Sequence, residues 1–204
     1  MVRDKAAHHE KILAAAREEF RRYGFPDASM RRIAAAAGMS AAGLYRHFPG
    51  KEEMFSALVE PACAALLAVY RKEEAIEQDA LRAGNLVDRW ELGGEVRRIL
   101  DCIYDRQEDF FLLLCRSRGT RYESFLQDLA AEDEKVTLAM VRQLRENGVP
   151  VHMPDPRELH LLMNASVDAI FRVVELGMTR EEAMRYADTL DAFLTAGWRA
   201  VLGY

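Results

Sequence analysis

The sequence predicts an all-α protein with a small N-terminal head of three helices and a longer helical body. Three observations lead to this prediction. Apolar residues recur every three or four positions from residue 12 onward, residues 29–48 hold two short helical segments joined by a glycine, and residues 155–202 hold two long amphipathic segments bounded by capping residues. Helices of this kind bury their apolar faces against one another.

Length and composition are those of an ordinary globular chain. Half of the 204 residues are hydrophobic and 30% are charged, which suffices for a sizeable core. The first ten residues, MVRDKAAHHE, are polar and lack the pattern of a secretory signal, and no apolar run approaches the ~20 residues that span a bilayer. We therefore expect a cytoplasmic protein that has no membrane partner.

The head is predicted to contain three helices within residues 1–50. The first is expected from about residue 5 to residue 23, with Gly24 ending it. The other two flank Gly38, which adopts a backbone conformation that side chains oppose. Ser29 precedes the second helix as an N-cap, and Ser40 precedes the third, where its hydroxyl can accept a bond from a free amide of the first turn.

Residues 29–48 have the pattern of a helix-turn-helix. The residues predicted to pack inward are Ile33, Ala34, Ala37, Leu44, His47 and Phe48. The residues left on the outer surface of the second short helix are Ala41, Ala42, Gly43, Tyr45 and Arg46. A recognition helix places such a surface in the major groove of DNA. The alternative is an ordinary helical hairpin inside an all-α core.

The charge distribution favours nucleic acid as a partner of the head alone. The chain has a formal net charge of −5, but residues 1–55 carry +3 and the remainder carries −8. A basic head on an acidic body is attracted to phosphates through the head only. Affinity for DNA is expected to fall as the salt concentration rises.

The body, residues 51–204, is predicted to be helical throughout except for its connections. One helix begins near Lys51 and contains Pro61, and residues 73–89 are polar enough to predict a connection with a short helix at most. Helices are then expected at 91–107, 109–118 and 121–146. Asp155 before Pro156 predicts the next helix, and the pair Thr179 and Glu182 predicts a capping box before the last one.

The last two helices are more apolar than one neighbouring helix would require. We expect them to form a homodimer by packing against their symmetry mates as a four-helix bundle, the alternative being burial within one subunit. The residues predicted to form the interface are Leu159, Met163, Val167, Ile170, Val174, Tyr186, Leu190, Phe193, Leu194 and Trp198.

Several of these segments resemble the tetracycline-repressor (TetR) family of transcriptional regulators. The matching stretches are ILAAAREEFRRYGF (12–25), SMRRIAAAAGMS (29–40) and GLYRHFPGKEEMF (43–55), and residues 179–203 are similar to the closing helix of many members. The resemblance implies a helix-turn-helix head followed by an effector-binding and dimerisation domain. It also implies a ligand-responsive regulator, most simply a repressor that binds a palindromic operator as a homodimer and is released by a small molecule.

The resemblance assigns the DNA contacts residue by residue. They are Ser29, Arg31, Arg32, Ser40, Ala41, Ala42, Gly43, Tyr45, Arg46, His47 and Lys51. Because the start of the recognition helix offers only methyl groups and close backbone approach, direct hydrogen bonding to bases is expected to be sparse. Specificity would then depend on DNA shape. His47 has an alternative role as a core histidine.

An effector pocket between the body helices is the last expectation. The aromatic and soft side chains expected to line it are Trp90, Ile103, Tyr104, Phe110, Phe111, Leu114, Met140, Met163 and Phe171. The chemistry of the effector is not readable from these residues. Asp101, Asp105 and Asp109 recur at helical spacing and could attract a cation, although a solvated face is the commoner explanation.

Other functional classes receive little support from the sequence. It has no nucleophile elbow, phosphate-binding glycine loop or paired Cys and His ligands, so no enzyme activity, metal or cofactor is expected. Cys63, Cys102 and Cys115 are widely spaced and are interpreted as small buried hydrophobes, with a redox-sensing thiol as the alternative. A helical domain that binds small molecules but has lost DNA binding is the remaining rival.

Overall fold

The computed structural model describes residues 2–83 and 93–203, and within these ranges the chain is helical without strands, as predicted. Trp90, predicted to line the effector pocket, lies outside the described residues. The helices are α1 (Val2–Asp27), α2 (Met30–Ala36), α3 (Ala41–Tyr45), α4 (Lys51–Ala83), α5 (Glu95–Asp105), α6 (Gln107–Cys115), α7 (Phe125–Glu146), α8 (Pro156–Glu175) and α9 (Arg180–Leu202).

The chain divides into two compact units. The head unit contains Met1–Ala65 and Arg106–Glu123, and the body unit contains Leu66–Asp105 and Ser124–Tyr204. The packing boundary therefore differs from the predicted division at residue 50, because the first half of α4 and all of α6 pack with the head. A functional division into 1–50 and 51–204 remains a prediction.

The core of the head unit is built on α1, which packs against α2 and α6. Ile12, Ala16 and Phe20 are fully buried, as their spacing predicted, whereas Tyr23 is 40% exposed. The Phe20 ring lies 5.1 Å from that of Phe55 on α4 in an edge-to-face arrangement. Such aromatic pairs stabilise a core beyond the area that they bury.

Gly24 interrupts α1 with a positive φ of 71°, so the predicted helix end is confirmed, although helical turns resume as far as Asp27. The amide of the next residue, Phe25, donates to the carbonyl of Arg116 at 3.1 Å, and the Arg116 Nε donates to the carbonyl of Arg21 at 2.8 Å. These bonds hold the end of α1 against the segment that follows α6.

Helix α4 is longer than predicted. It continues through Pro61 to Ala83, and the expectation of a connection from residue 73 is wrong. The polar residues are satisfied within the helical arrangement, because Glu73 is 4% exposed and its carboxylate accepts from Arg98 of α5 at 2.6 and 2.7 Å. By length and composition Lys51–Ala80 could cross a membrane, and a third of its most apolar stretch is buried inside the protein.

In the body unit α7 packs on α8, and α9 packs on both α5 and α8. The predicted caps of the last two helices are confirmed: Asp155 accepts from the amides of the first turn of α8, and Thr179 and Glu182 form the capping box of α9. Helix α7 begins at Phe125 rather than residue 121, because residues 117–124 form hydrogen-bonded turns.

Side chains of α5 and α9 form a set of polar cross-links. The Asp191 carboxylate accepts from the amides of Gly94 and Val96, at 2.8 and 3.2 Å, at the N-terminus of α5. Arg97 pairs with Asp188 at 2.6 Å. Arg180 donates to Asp101 at 2.7 Å and to Asp105 at 2.8 Å. The cation that Asp101 and Asp105 attract is therefore the Arg180 side chain. Asp109, the third aspartate of that pattern, pairs with Arg17 in the head unit.

Candidate nucleic-acid interface and ligand cavity

The turn between α2 and α3 has the geometry of a helix-turn-helix. Gly38 has a φ of +72°, and the Ser40 hydroxyl accepts from the Gly43 amide at 3.1 Å, which confirms Ser40 as the N-cap. Leu44 of α3 is fully buried, and Phe48, which follows α3, is 6% exposed, so both side chains pack into the core of the head. On the opposite side, Ala42 and Tyr45 of α3 and Arg46, which follows it, are exposed.

The N-terminus of α2 is held by a carboxylate that sequence reasoning missed. Ser29 is the N-cap residue, but its side chain makes no capping bond, so that expectation is wrong. Its amide instead donates to Glu19 of α1 at 2.8 Å, and the Arg32 Nε donates to the same oxygen at 2.8 Å. Glu19 is 8% exposed, and its charge also complements the positive end of the α2 dipole.

Arg32 and Lys51 support the head rather than standing free. Arg32 also donates to the Asp27 carbonyl at 2.7 Å and lies over the Tyr23 ring at 4.3 Å. The Lys51 Nζ donates to the carbonyls of Phe25 and Pro26, at 2.8 Å each. Arg32 and Lys51 would therefore have to contact DNA while they keep these bonds within the head, and their DNA contacts remain predictions.

The remaining predicted DNA contacts form a continuous exposed surface. Ser40, Ala42, Tyr45, Arg46 and His47 are exposed, with Ala41 and Gly43 half-buried beside them, and Arg31 is exposed on α2. His47 does not belong to the core, and its ring lies 6.2 Å from that of His8 on α1. Among the described residues, Arg31 and Arg46 make no ion pair. We refer to this set as the α3 surface.

The body unit contains a cavity of about 610 Å³. Residues of α4, α5, α7, α8 and α9 line it, and they include Tyr70, Phe125, Met140, Met163, Leu194 and Trp198. Of the predicted pocket residues that the structure describes, Met140 and Met163 are among them and the others are not. Ile103 and Phe171 are buried in helix packing, and the Tyr104 hydroxyl donates to the Met178 carbonyl at 2.7 Å. Phe110, Phe111 and Leu114 belong to the head unit.

Acidic side chains dominate the polar part of the lining. They are Glu73, Glu74, Glu77, Glu95, Asp128, Glu132, Asp133 and Asp191, and Arg71 is the basic residue among the described lining residues. Burial, reinforced by Glu77 and the other carboxylates, raises the pKa of Glu95 to about 8. Burial beside Glu77 and Glu132 raises the pKa of Asp133 to about 7. Sequence reasoning missed this feature because it assigned residues 73–83 to a connection.

Most of the residues predicted to form the dimer interface are buried in the core of a single subunit. Leu159, Met163, Val167, Ile170, Val174 and Leu190 are at most 7% exposed within this one subunit. Leu194 and Trp198 line the cavity, and the Tyr186 hydroxyl donates to the Ala169 carbonyl at 3.0 Å. Phe193, by contrast, is 71% exposed. Packing inside one subunit therefore already covers most of the predicted interface residues, and a dimer through α8 and α9 remains a prediction.

Cys63, Cys102 and Cys115 are all half-buried. Burial raises the pKa of the Cys63 thiol to about 11, and the neighbouring Glu60 carboxylate acts in the same direction. A redox sensor needs a thiolate, so this environment argues against that role for Cys63. Within the two described ranges, no group of three or more His, Cys, Asp or Glu side chains is arranged to hold a metal ion.

Comparison with known proteins agrees with this geometry. Residues 12–58 match the family described as bacterial regulatory proteins, tetR family. The HTH-type transcriptional repressor Rv1474c of Mycobacterium tuberculosis is 37% identical over 71 residues, which are 35% of this chain and 38% of that protein. The chain thus spans well under half the length of this relative.

Two further proteins are similar over most of their length. The HTH-type transcriptional repressor AcnR of Corynebacterium efficiens is 23% identical over 188 residues, which cover 89% of each chain. The crystal structure of SCO3833 of Streptomyces coelicolor A3, a member of the TetR transcriptional regulator family, aligns with a TM-score of 0.63 and 24% identity. That alignment covers 91% of this chain and 90% of the other. The structural likeness supports the fold across both compact units.

Proposed function

We propose, from the premise that this chain belongs to the TetR family of DNA-binding transcriptional regulators, that it represses transcription from a palindromic operator as a homodimer and is released by a small-molecule effector. Operator DNA would be its partner in the cytoplasm. The observation that carries the proposal is the α3 surface, an exposed set of side chains on a short helix whose inner residues are fully buried.

The α3 surface suits the major groove. Arg46 and Arg31 supply charges for phosphates or for guanine edges, and Tyr45, which is 51% exposed, supplies a hydroxyl and a ring. Ala41 and Ala42 supply methyl groups for thymine. This surface has few hydrogen-bonding groups, so DNA deformability would contribute a large share of the specificity.

Lys51, Arg32 and Ser29 act as supports of that surface. Lys51 fixes the carbonyls at the end of α1, and Glu19 joins α1 to the start of α2 through Ser29 and Arg32. Loss of any of these contacts would displace the recognition helix. A displacement of about 1 Å is enough to break bidentate contacts with bases, because hydrogen bonds weaken steeply with distance and angle.

The dimer surface follows from what the core leaves exposed. On α8, Leu161 is 69% exposed, Leu162 is 39% exposed and Ala165 is also exposed. On α9, Phe193 is exposed together with Ala196. Small residues allow close helix approach and the larger ones supply apolar area, so the two helices are suited to pack against their symmetry mates.

Effector release follows from differential affinity. A ligand in the body cavity that prefers the arrangement in which the two heads do not match the operator spacing shifts the population towards it. By linkage, operator DNA weakens ligand binding by the same factor. The cavity volume of about 610 Å³ is in the range that drug-sized ligands occupy.

The test is a selection of random duplex DNA by the purified protein at moderate salt, followed by sequencing of the retained molecules. The expected result is an enriched palindrome with half-sites about one helical turn apart or slightly more. Absence of any enriched sequence, from a folded dimer at several salt concentrations, would contradict the proposal and favour a ligand-binding domain that has lost DNA binding.

Variants on the α3 surface sharpen this test. Arg46→Ala should weaken binding to the selected duplex roughly 10-fold or more, the effect of one lost charge-assisted contact. Arg142→Ala is the matched control, because Arg142 is an exposed arginine of the body unit. Unchanged binding by Arg46→Ala would show that α3 does not contact the DNA.

A further inference from the structure

We propose that the effector of the body cavity is an organic cation with an apolar body. The proposal rests on the proposed function only in treating this cavity as the effector site. It follows from two properties of the lining that are independent of each other. One is an aromatic and aliphatic wall, and the other is the pair of carboxyl groups of Glu95 and Asp133, to which no described residue donates a hydrogen bond.

The wall favours a ligand with substantial apolar surface. Tyr70, Phe125 and Trp198 supply aromatic faces from three different helices, and Met140 and Met163 supply flexible side chains that adapt to the shape of a ligand. Aromatic faces also attract cations through their quadrupole. A small inorganic ion would leave most of this surface uncovered.

The carboxylates differ in how the protein satisfies them. Glu73 is paired with Arg98, and Asp191 accepts two amides at the start of α5. Glu95 and Asp133 lie on facing helices of the cavity and accept no hydrogen bond from the residues that the structure describes. The Tyr70 hydroxyl also has no hydrogen-bond partner among the described residues. These groups are directed at the cavity without an internal partner.

Leaving such groups unpaired is costly. A carboxylate in a cavity with apolar walls is destabilised unless a partner neutralises it, and the raised pKa values of Glu95 and Asp133 express that cost. A positively charged ligand group would supply the missing partner, and binding would release protons at neutral pH. An anionic ligand would meet repulsion from the acidic residues of four helices.

A matched pair of probe ions separates charge from shape. Tetraphenylphosphonium and tetraphenylborate have nearly the same size and apolar surface but opposite charge. We expect calorimetric titration of the full-length protein, in sodium buffer at pH 7.5, to show at least a tenfold preference for tetraphenylphosphonium. Binding should also release protons, which appears as a dependence of the measured heat on the ionisation enthalpy of the buffer.

Variants locate the preference. Glu95→Gln and Asp133→Asn should each weaken tetraphenylphosphonium binding about fivefold to tenfold, while Glu146→Gln, which removes the same charge from an exposed position at the end of α7, should leave it unchanged. Thermal unfolding of each variant confirms that it is folded. Equal or tighter binding of tetraphenylborate, no binding of either ion, or equal affinities in all three variants would overturn the proposal.

The DNA selection keeps the two proposals apart. Enrichment of a palindrome by a protein that fails to prefer the cation would leave DNA recognition standing and refute the assignment of the ligand class. The opposite result, preference for tetraphenylphosphonium without any enriched DNA sequence, would support the ligand class and contradict the regulatory function. If both are sound, tetraphenylphosphonium should weaken binding to the selected duplex for the unmodified chain and less so for Glu95→Gln.

Discussion

Replacing Glu95 by Gln is expected to stabilise the protein at pH 7.5 by about 2 kcal/mol and to have little effect at pH 4.5. The carboxyl pKa is raised from 4.5 to about 8 in the folded state. Between these values the folded state binds more protons than the unfolded chain, so stability falls as the pH rises. Because the Gln side chain does not ionise, the variant avoids this loss of stability.

The size of the stabilisation follows from the difference between the pH of the assay and the pKa of the carboxyl in the unfolded chain. At pH 7.5 the unfolded carboxyl is three units above its pKa of 4.5, and at about 1.4 kcal/mol per unit the full penalty approaches 4 kcal/mol. Water in the cavity solvates the charge partly, and the Gln amide needs solvation of its own, so we expect about half of that value.

The carboxylates that act on Glu95 come from three neighbouring helices. Glu73 and Glu77 face it from α4, Asp133 from α7 and Asp191 from α9. Arg98, one turn further along α5, is occupied by Glu73. Burial is the main cause of the raised pKa of Glu95, and these carboxylates act in the same direction, so the sign of the expected effect is set by both.

The assay is urea unfolding followed by circular dichroism at pH 7.5 and 4.5, at one protomer concentration because the stability of an oligomer depends on concentration. Glu146→Gln is the control, since its exposed carboxylate should change stability little at either pH. A difference between Glu95→Gln and the unmodified protein that is the same at both pH values, or a loss of stability at pH 7.5, would refute the reasoning.

Three other predictions concern the head and the dimer. Glu19→Ala should lower the free energy of unfolding by about 2–3 kcal/mol, because it leaves Arg32 and the Ser29 amide without their shared acceptor. Glu18→Ala, at an exposed position, is the control and should leave the urea midpoint nearly unchanged in the same experiment. Gly38→Ala should cost about 1 kcal/mol, measured as a lower urea midpoint, because of its positive φ; no loss would show that this turn relaxes. Phe193→Glu should convert the proposed dimer to monomers in sedimentation velocity while the helical content is retained, and a persistent dimer would exclude Phe193 from the interface.

Local patterns in the sequence predicted local structure well. The caps at Ser40, Asp155 and Thr179 are confirmed because each bond joins residues two or three positions apart. Ser29 has the same residue type and position but fails as a cap, because Glu19 on another helix reaches the amide first. No spacing rule within residues 29–32 contains that information.

Hydrophobic periodicity identified buried faces without identifying what covers them. The spacing of Leu159, Val167 and Ile170 correctly predicted burial on α8, but the covering residues come from the same subunit. The proposed dimer surface is less apolar than the buried face of α8. It can be identified only after the structure shows which apolar residues are already buried in the core. Periodicity gives the orientation of a helix and leaves its neighbour undetermined.

The cavity was the hardest feature to predict. Polar residues from 73 to 83 predicted a connection, since a continuous helix there exposes charge that only distant partners satisfy. The pair Glu73 and Arg98 is 25 residues apart. In the sequence these acidic residues look like a solvated helix face. In the structure they line the cavity between five helices.

The cross-links between α5 and α9 have a consequence for cooperativity. Helix α5 has eleven residues, which is too short to be stable alone in water. Arg180, Asp188 and Asp191 are spread over about three turns of α9 and hold both ends of α5. We therefore expect the shorter helix to unfold together with the longer one, and hydrogen exchange should then give the amides of both helices a similar free energy of opening.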